Sequence, residues 1–220
     1  MKVAIDGPAG SGKSTVCKKI ANKYGLIYLD TGAMYRAATW FSLKFTDEKL
    51  AERLKDVDFI FSENGRKLTI AKDGESWDVT KSIRTPAVAH SVSRVSANPQ
   101  VRAVLTEKQR KFAADYDVIM EGRDITTVVL PDAEIKVFLT ASVEERAKRR
   151  FQEWRESNTE APNYEEVIES IKRRDEADCA RACAPLKKAD DAVLVDTTGL
   201  TVDDVVTLIG KMIEDKRASL

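Results

Sequence analysis

Near the start of the chain, Gly7-Pro8-Ala9-Gly10-Ser11-Gly12-Lys13-Ser14 matches the pattern G-x-x-x-x-G-K-[ST]. Glycines at these positions let successive backbone N–H groups curl around an anion without Cβ clashes, and the helix that follows points its positive end at the same spot. Lys13 can reach the β- and γ-phosphates of a nucleoside triphosphate, and Ser14 can ligate a divalent cation. The stretch V-A-I-D before the motif reads as a strand, and T-V-C-K-K-I-A-N-K-Y after it reads as an amphipathic helix, the context such a loop requires. The motif says triphosphate and does not name an acceptor.

A second anchor for such a site is an acid at the end of another buried strand. Asp117-Val118-Ile119-Met120-Glu121 ends in a carboxylate and runs into Gly122-Arg123-Asp124, which makes Glu121 the candidate. A solvated carboxylate at a strand end is the plainer alternative.

Arginine is the other concentrated chemistry. Arg146, Arg149 and Arg150 share one helical face, Arg155 follows, and Arg173, Arg174 and Arg181 lie in the next charged segment. Guanidinium groups match the oxygens of a phosphoryl group in flight and stay charged, so two arginine-bearing helices suit a lid that excludes water. The same helices also read as a solvated pair laced by Glu144, Glu145, Glu153 and Glu156.

The segment I-K-R-R-D-E-A-D-C-A-R-A-C-A-P-L, residues 171 to 186, holds two of these arginines and two cysteines. At about 100° per residue, Arg174, Asp178 and Arg181 fall within roughly 60° of one another, with Cys179 and Cys183 roughly opposite. The trio therefore reads as one face, and the cysteines as small packing hydrophobes turned away from it. With Cys17 the only further cysteine, no C-x-x-C, and His90 the only histidine, no zinc set can be assembled. His90 reads as a surface or packing residue.

These groups need a frame. The 220 residues are 43% hydrophobic and 33% charged, enough for one sizeable core with small lobes. Lysine plus arginine equals aspartate plus glutamate at 36 each, which argues against a nucleic-acid binder working by bulk charge. Three cysteines are too few for a disulfide framework. No apolar run approaches membrane-spanning length and the start is no secretory signal, so the expectation is a cytoplasmic protein without membrane or nucleic-acid partners.

Short apolar runs at Lys2–Asp6, Leu26–Leu29, Asp117–Glu121, Glu134–Leu139 and Ala192–Asp196 alternate with amphipathic stretches, the pattern of buried parallel strands in an α/β fold. Asn98-Pro99 reads as a helix start, and Ser142 with Glu145, Asn163 with Glu166 and Thr201 with Asp204 have capping spacing. Two stretches break the alternation. Val57–Val79, with Asn64-Gly65 and Asp73-Gly74, predicts an inserted antiparallel meander, and Ser157–Pro162 predicts the mobile tip of a helical hairpin.

Taken in order, A-I-D-G-P-A-G-S-G-K-S-T, L-D-T-G-A-M-Y-R, V-S-A-N-P-Q-V-R, E-G-R-D-I-T-T-V-V-L-P-D-A, E-E-R-A-K-R-R and the R-R-D…A-R-A-C-A-P-L segment resemble bacterial cytidylate kinases over nearly the whole chain. The resemblance implies a P-loop NTPase-type three-layer fold with a five-stranded parallel sheet, an inserted monophosphate-binding lobe carrying the small antiparallel sheet, and a helical lid. It implies a core of residues 1–30, 116–141 and 184–220, a lobe of 31–115 and a lid of about 146–181. The implied activity is γ-phosphoryl transfer from ATP to CMP or dCMP by a monomer using Mg²⁺.

By the same resemblance, Gly7, Pro8, Ala9, Gly10, Ser11, Gly12, Lys13, Ser14 and Thr15, with Arg146 and Arg150, contact ATP. Thr31 and Arg36 contact the CMP side, Arg36 at the α-phosphate, and Ser93, Arg102 and Asp124 recognise cytosine. A carboxylate can take the N4 proton of cytosine while an arginine or hydroxyl gives to N3 or O2. Arg123 reaches toward phosphate, Asp178 accepts from the ribose hydroxyl, and Arg174 and Arg181, with Lys13, act on the moving phosphoryl group. Ser14 and Glu121 hold Mg²⁺, Glu121 directly or through water. A glycine usual to the family is Thr126 here; if that glycine serves a close backbone approach or a positive φ, Thr126 carries a cost. Kinases for UMP, AMP or thymidylate, and a nucleotide-dependent switch without an acceptor, are the rival readings.

Overall fold

A computed structural model of the chain describes residues 1–45, 49–63, 65–156 and 163–219. Five parallel strands form the central sheet: β1 (Lys2–Asp6), β2 (Ile27–Asp30), β6 (Val118–Gly122), β7 (Ile135–Thr140) and β8 (Val193–Asp196), in the order β2-β6-β1-β7-β8. Each lies within one residue of an apolar run in the sequence. The reason is burial on both faces: Val3, Ala4 and Ile5 of β1 and Val118, Ile119 and Met120 of β6 are wholly inaccessible, so these strands read as continuous apolar runs rather than alternating ones.

One face of the sheet packs on α1 (Lys13–Tyr24) and α8 (Val202–Ala218) through Val16, Ile20, Val205 and Ile209. The other face packs on α2 (Thr31–Phe45) and α5 (Pro99–Asp115). The predicted meander is present as an antiparallel sheet of β3 (Asp58–Ser62), β4 (Lys67–Lys72) and β5 (Glu75–Asp78). Its Leu68 and Ile70 join the same buried cluster as Phe41 and Leu105, and Trp77 stacks edge-on to Phe45 at 5.4 Å. The inserted sheet thus shares its core with the helices it interrupts. Asn64 of the expected Asn64-Gly65 turn lies outside the described residues.

Short α3 (Leu50–Leu54) and α4 (Pro86–Ala97) complete the lobe. The Asn98 carboxamide accepts from Gln100 N and Val101 N at the start of α5, and full capping boxes open α7 (Tyr164–Cys179) and α8, as their spacing predicts. Ser142 Oγ accepts from Glu145 N at 3.1 Å where α6 (Val143–Glu156) begins. Helices α6 and α7 hold a small core of their own, with Ala147, Val167 and Ile171 buried against Phe151, Trp154 and Tyr164. The predicted tip, Ser157–Pro162, lies outside the described residues. Among those residues no helix is long and apolar enough to cross a membrane.

Candidate active site

Parallel strands bring their C-terminal ends to one edge of the sheet. The register sets Asp6 beside Gly122 and Asp30 beside Glu121, so three strands end in acids around the entry to the glycine-rich loop. The loop is shaped as its spacing requires. Gly7 sits at φ 150°, where a Cβ would collide with the Leu139 carbonyl oxygen. No side chain caps α1, which leaves its first N–H groups facing the loop, as in an anion site.

Lys13 lies under the loop. Its ammonium donates to Gly7 O at 2.9 Å, Pro8 O at 2.7 Å and Ser11 Oγ at 3.3 Å. Burial, with Arg123 nearby, lowers its pKa to about 7 against the pull of Glu121 and Asp6. Glu121 is buried at the end of β6, where burial and Asp30 raise its pKa while Lys13 and hydrogen bonds from Ser14 and Tyr28 resist. A carboxylate bonded to the loop serine is a sparse oxygen set. That suits Mg²⁺, which keeps waters and substrate phosphates as its other ligands. Among the described residues no group of three or more His, Cys, Asp or Glu is placed to hold a metal ion by itself, as a protein-only metal cage requires.

Across the strand ends from the loop opens a cleft lined by Asp30, Thr31, Gly32, Tyr35, Arg36, Val92, Ser93, Ser96, Arg102, Glu121, Gly122, Arg123, Asp124, Arg174, Asp178 and Arg181. Every residue expected on the monophosphate side is in this wall. Each of its two most buried carboxylates holds arginine. Asp124 pairs with Arg102, which also donates to Ser96 O at 3.0 Å. Asp178 accepts from Arg123 Nε at 2.8 Å and pairs with Arg181. Burial opposes the charge on Asp178, yet Arg123 and Arg181 outweigh it and hold the carboxyl below its usual value. Arg102 is likewise held high by Tyr35 and Asp124 against its own burial. Thr31 donates to Glu121 O at 2.7 Å, tying α2 to β6.

The remaining cations repel one another. Arg174 is exposed to the cleft yet enclosed by protein atoms; burial and then Arg123 lower it to about 10, with Arg36 and Arg150 adding to the effect. Arg36 is lowered by burial and by Arg84, Arg150 and Arg123, with its Nη1 donating to Ile83 O at 3.4 Å. Such a cleft favours an anion.

Sequence expectations need correction at three points. Helix α7 ends at Cys179, so Arg181 is not on the helical face deduced from spacing. It reaches Asp178 because the chain turns back there, with Leu186 N bonded to Asp178 O at 2.9 Å. Cys179 and Cys183 are both exposed, not packed; only Cys17 is buried. The side opposite the trio faces solvent. At Thr126 the positive φ that would have made the side chain costly is not found. The Thr126 hydroxyl and N–H donate to Asp6 Oδ2 at 2.6 and 2.7 Å, with Ile125 N on Oδ1 at 2.8 Å.

On the other side of the loop, Arg146 is buried and bonded to Ala141 O, Ala9 O and Asp175, so it grips the loop backbone from α6. Arg150 is exposed, pairs with Glu153 and lies within electrostatic reach of Arg36 and Arg174. Thr15 is an exposed residue in the first turn of α1. Sequence reasoning missed Tyr35 and Arg84; Tyr35 stands between Thr31 and Arg36 in a motif already singled out. Arg149 pairs with Glu145, one of the acids the sequence offers as a partner, and also donates to Thr197 Oγ1 at 3.0 Å.

The chain is similar to known proteins. A family model described as cytidylate kinase matches residues 3–215. A cytidylate kinase of Carboxydothermus hydrogenoformans is 48% identical over 223 residues, covering 98% of each chain. One of Caldanaerobacter subterraneus is 51% identical over 211 residues, covering 94% of this chain and 91% of the relative. One of Bacillus subtilis is 45% identical over 223 residues, covering 98% and 97%. Among solved structures, an uncharacterized protein from Eubacterium ventriosum matches with a TM-score of 0.55 at 15% identity over 98% of both chains, a likeness of fold.

Proposed function

Because the chain belongs to the cytidylate kinase family, we propose that it transfers the γ-phosphoryl group of ATP to CMP or dCMP, giving ADP and CDP or dCDP. One observation carries the reading: a cleft of buried arginine–carboxylate pairs opens directly across the strand ends from a phosphate loop. A nucleotide switch has no use for a second anion pocket.

A phosphate oxygen of CMP is already anionic and nucleophilic, so transfer is direct and in line, and catalysis is positioning plus charge stabilisation. The loop N–H groups and Lys13 hold the donor phosphates. Thr31 and Arg36 hold the acceptor phosphate, with Arg123 beside it. Asp124, Arg102 and Ser93 read the donor and acceptors of cytosine, and Asp178 accepts from the ribose. Arg174 and Arg181 stabilise the moving phosphoryl group. Arg146 and Arg150 belong to the ATP side. Ser14 and Glu121 would hold Mg²⁺, Glu121 directly or through water, and the ion would supply charge neutralisation on the donor phosphates. Residues 31–115 and about 146–181 close as lobe and lid over a core of 1–30, 116–141 and 184–220, which limits hydrolysis of ATP. We place the protein in the cytoplasm as a monomer in pyrimidine nucleotide metabolism.

The test is ADP release in a coupled assay with CMP, dCMP, UMP, AMP and dTMP as acceptors. CMP and dCMP are expected to give the highest kcat/KM; equal use of UMP or AMP refutes the acceptor assignment.

A further inference from the structure

Glu121 carries one methylene more than aspartate, and a longer acid needs something to fix its reach. Tyr28 stands opposite Ile119 in the β2–β6 register, on the same sheet face as Glu121 two residues on. Its hydroxyl, on a side chain only 1% exposed, donates to Glu121 Oε1. The ring is hemmed in at one edge. A Cβ added to Gly65, in the turn between β3 and β4 at φ 77°, would lie 2.6 Å from Tyr28 Cδ1, so the inserted sheet presses its turn onto one edge of the ring. The Lys18 ammonium lies 5.6 Å from the ring centroid. A phenol locked this way is a preorganised donor.

We propose that Tyr28 is a positioning residue: its hydroxyl holds the Glu121 carboxylate against Ser14 for the Mg²⁺ that travels with ATP. The inference rests on the reading of Glu121 as the metal-side acid. Tyr28 itself touches neither nucleotide nor metal. It acts through Glu121, and the inserted sheet fixes it from behind, so the lobe on the monophosphate side also shapes the triphosphate side.

The experiment is a titration of Mn²⁺ into protein saturated with ADP, with free Mn²⁺ read by electron paramagnetic resonance. It uses wild type, Tyr28→Phe, Glu121→Gln and the double variant. Tyr28→Phe is expected to weaken Mn²⁺ binding about 10-fold, as loss of an outer partner of a metal ligand does, with CMP affinity unchanged. In the Glu121→Gln background Tyr28→Phe is expected to add nothing, because the carboxylate it positions is gone. A purely structural Tyr28 would lower the unfolding temperature and leave Mn²⁺ affinity alone; that outcome overturns the proposal, as does additivity in the double variant. If Glu121→Gln itself leaves Mn²⁺ binding unchanged, the metal-side reading of Glu121 fails and the inference with it. If Glu121→Gln weakens binding while Tyr28→Phe does not, only the inference fails. Should Tyr28→Phe not fold, Glu121→Asp serves, since the shorter acid withdraws from the Tyr28 hydroxyl but keeps its charge. Weaker Mn²⁺ binding is expected, and wild-type affinity overturns the proposal.

Discussion

Replacing Asp178 by asparagine tests the electrostatic design of the cleft. The change keeps the shape and removes the charge that Arg123 and Arg181 share. The Asp178 side chain is 4% exposed and the two arginines 17% and 13%, so little water is on hand to replace it. Breaking a buried ion pair from one side costs about 3–5 kcal/mol. Residual solvent around the guanidiniums points to the lower end, about 3 kcal/mol. For a chain of this length 1 kcal/mol shifts Tm by about 2–4 °C, so Asp178→Asn is expected to unfold about 6–12 °C lower in a calorimetric scan. Unpaired cations should then bind anions more eagerly. Adding pyrophosphate is expected to recover more of the lost stability in the variant than it adds to wild type.

The pH dependence gives the argument a second arm. A carboxyl whose folded pKa is depressed stabilises the fold at pH values above its unfolded pKa and loses that contribution as pH falls through the folded one. The gap between wild type and Asp178→Asn is therefore constant from about pH 5 to 8 and shrinks below about pH 4. A variant that melts within about 2 °C of wild type, or a gap that widens in acid, refutes the reasoning.

Arg181→Ala is expected to cut turnover far more than it weakens ATP binding, since its partner charge develops in transit; small, equal effects on kcat and ATP affinity would count against it. Burial and Arg123 hold Lys13 at about pH 7, and a bound polyphosphate pulls it up. ATP binding at pH 8 should thus take up nearly one proton, seen as a dependence of calorimetric enthalpy on buffer ionisation; no dependence contradicts it. Thr126→Val removes the hydroxyl bond to Asp6 at constant volume, and urea unfolding should register a loss of about 1.5 kcal/mol. Two thiols, Cys179 and Cys183, are expected to react at once with a disulfide reagent in the native protein and Cys17 only after unfolding; alanine at both exposed sites should change stability by less than about 0.5 kcal/mol.

What the sequence makes legible is what short-range physics decides. The phosphate loop is a local backbone shape, the caps at Asn98, Asn163 and Thr201 close hydrogen bonds over three residues, and a strand buried on both faces shows itself as an apolar run. The helical-wheel argument over residues 171–186 fails for the complementary reason. The helix stops at Cys179, because Leu186 N takes the Asp178 carbonyl and Ala184 adopts φ 51° ahead of Pro185. Such a stop is made by a backbone bond and a left-handed residue, neither of which a count of angular spacing weighs. Resemblance still brought Arg174, Asp178 and Arg181 to one wall, since a motif is a record of residues that meet, whatever backbone brings them there.

Pairings across long sequence separation are illegible for a stricter reason, and they are what set the chemistry. Asp6 and Thr126, and Tyr28 and Glu121, meet only because the sheet order places β2, β6 and β1 side by side, and Arg102 meets Asp124 only because α5 packs beside the end of β6. Spacing within a segment has nothing to say about them. Yet they decide whether an acid at a strand end is a solvated carboxylate or a held one, the very alternative left open for Glu121. Burial alone would push that carboxyl toward its neutral form. A serine of the phosphate loop, a lysine beneath it and the Tyr28 phenol pull the other way without outweighing burial and Asp30, and they hold its two oxygens in place.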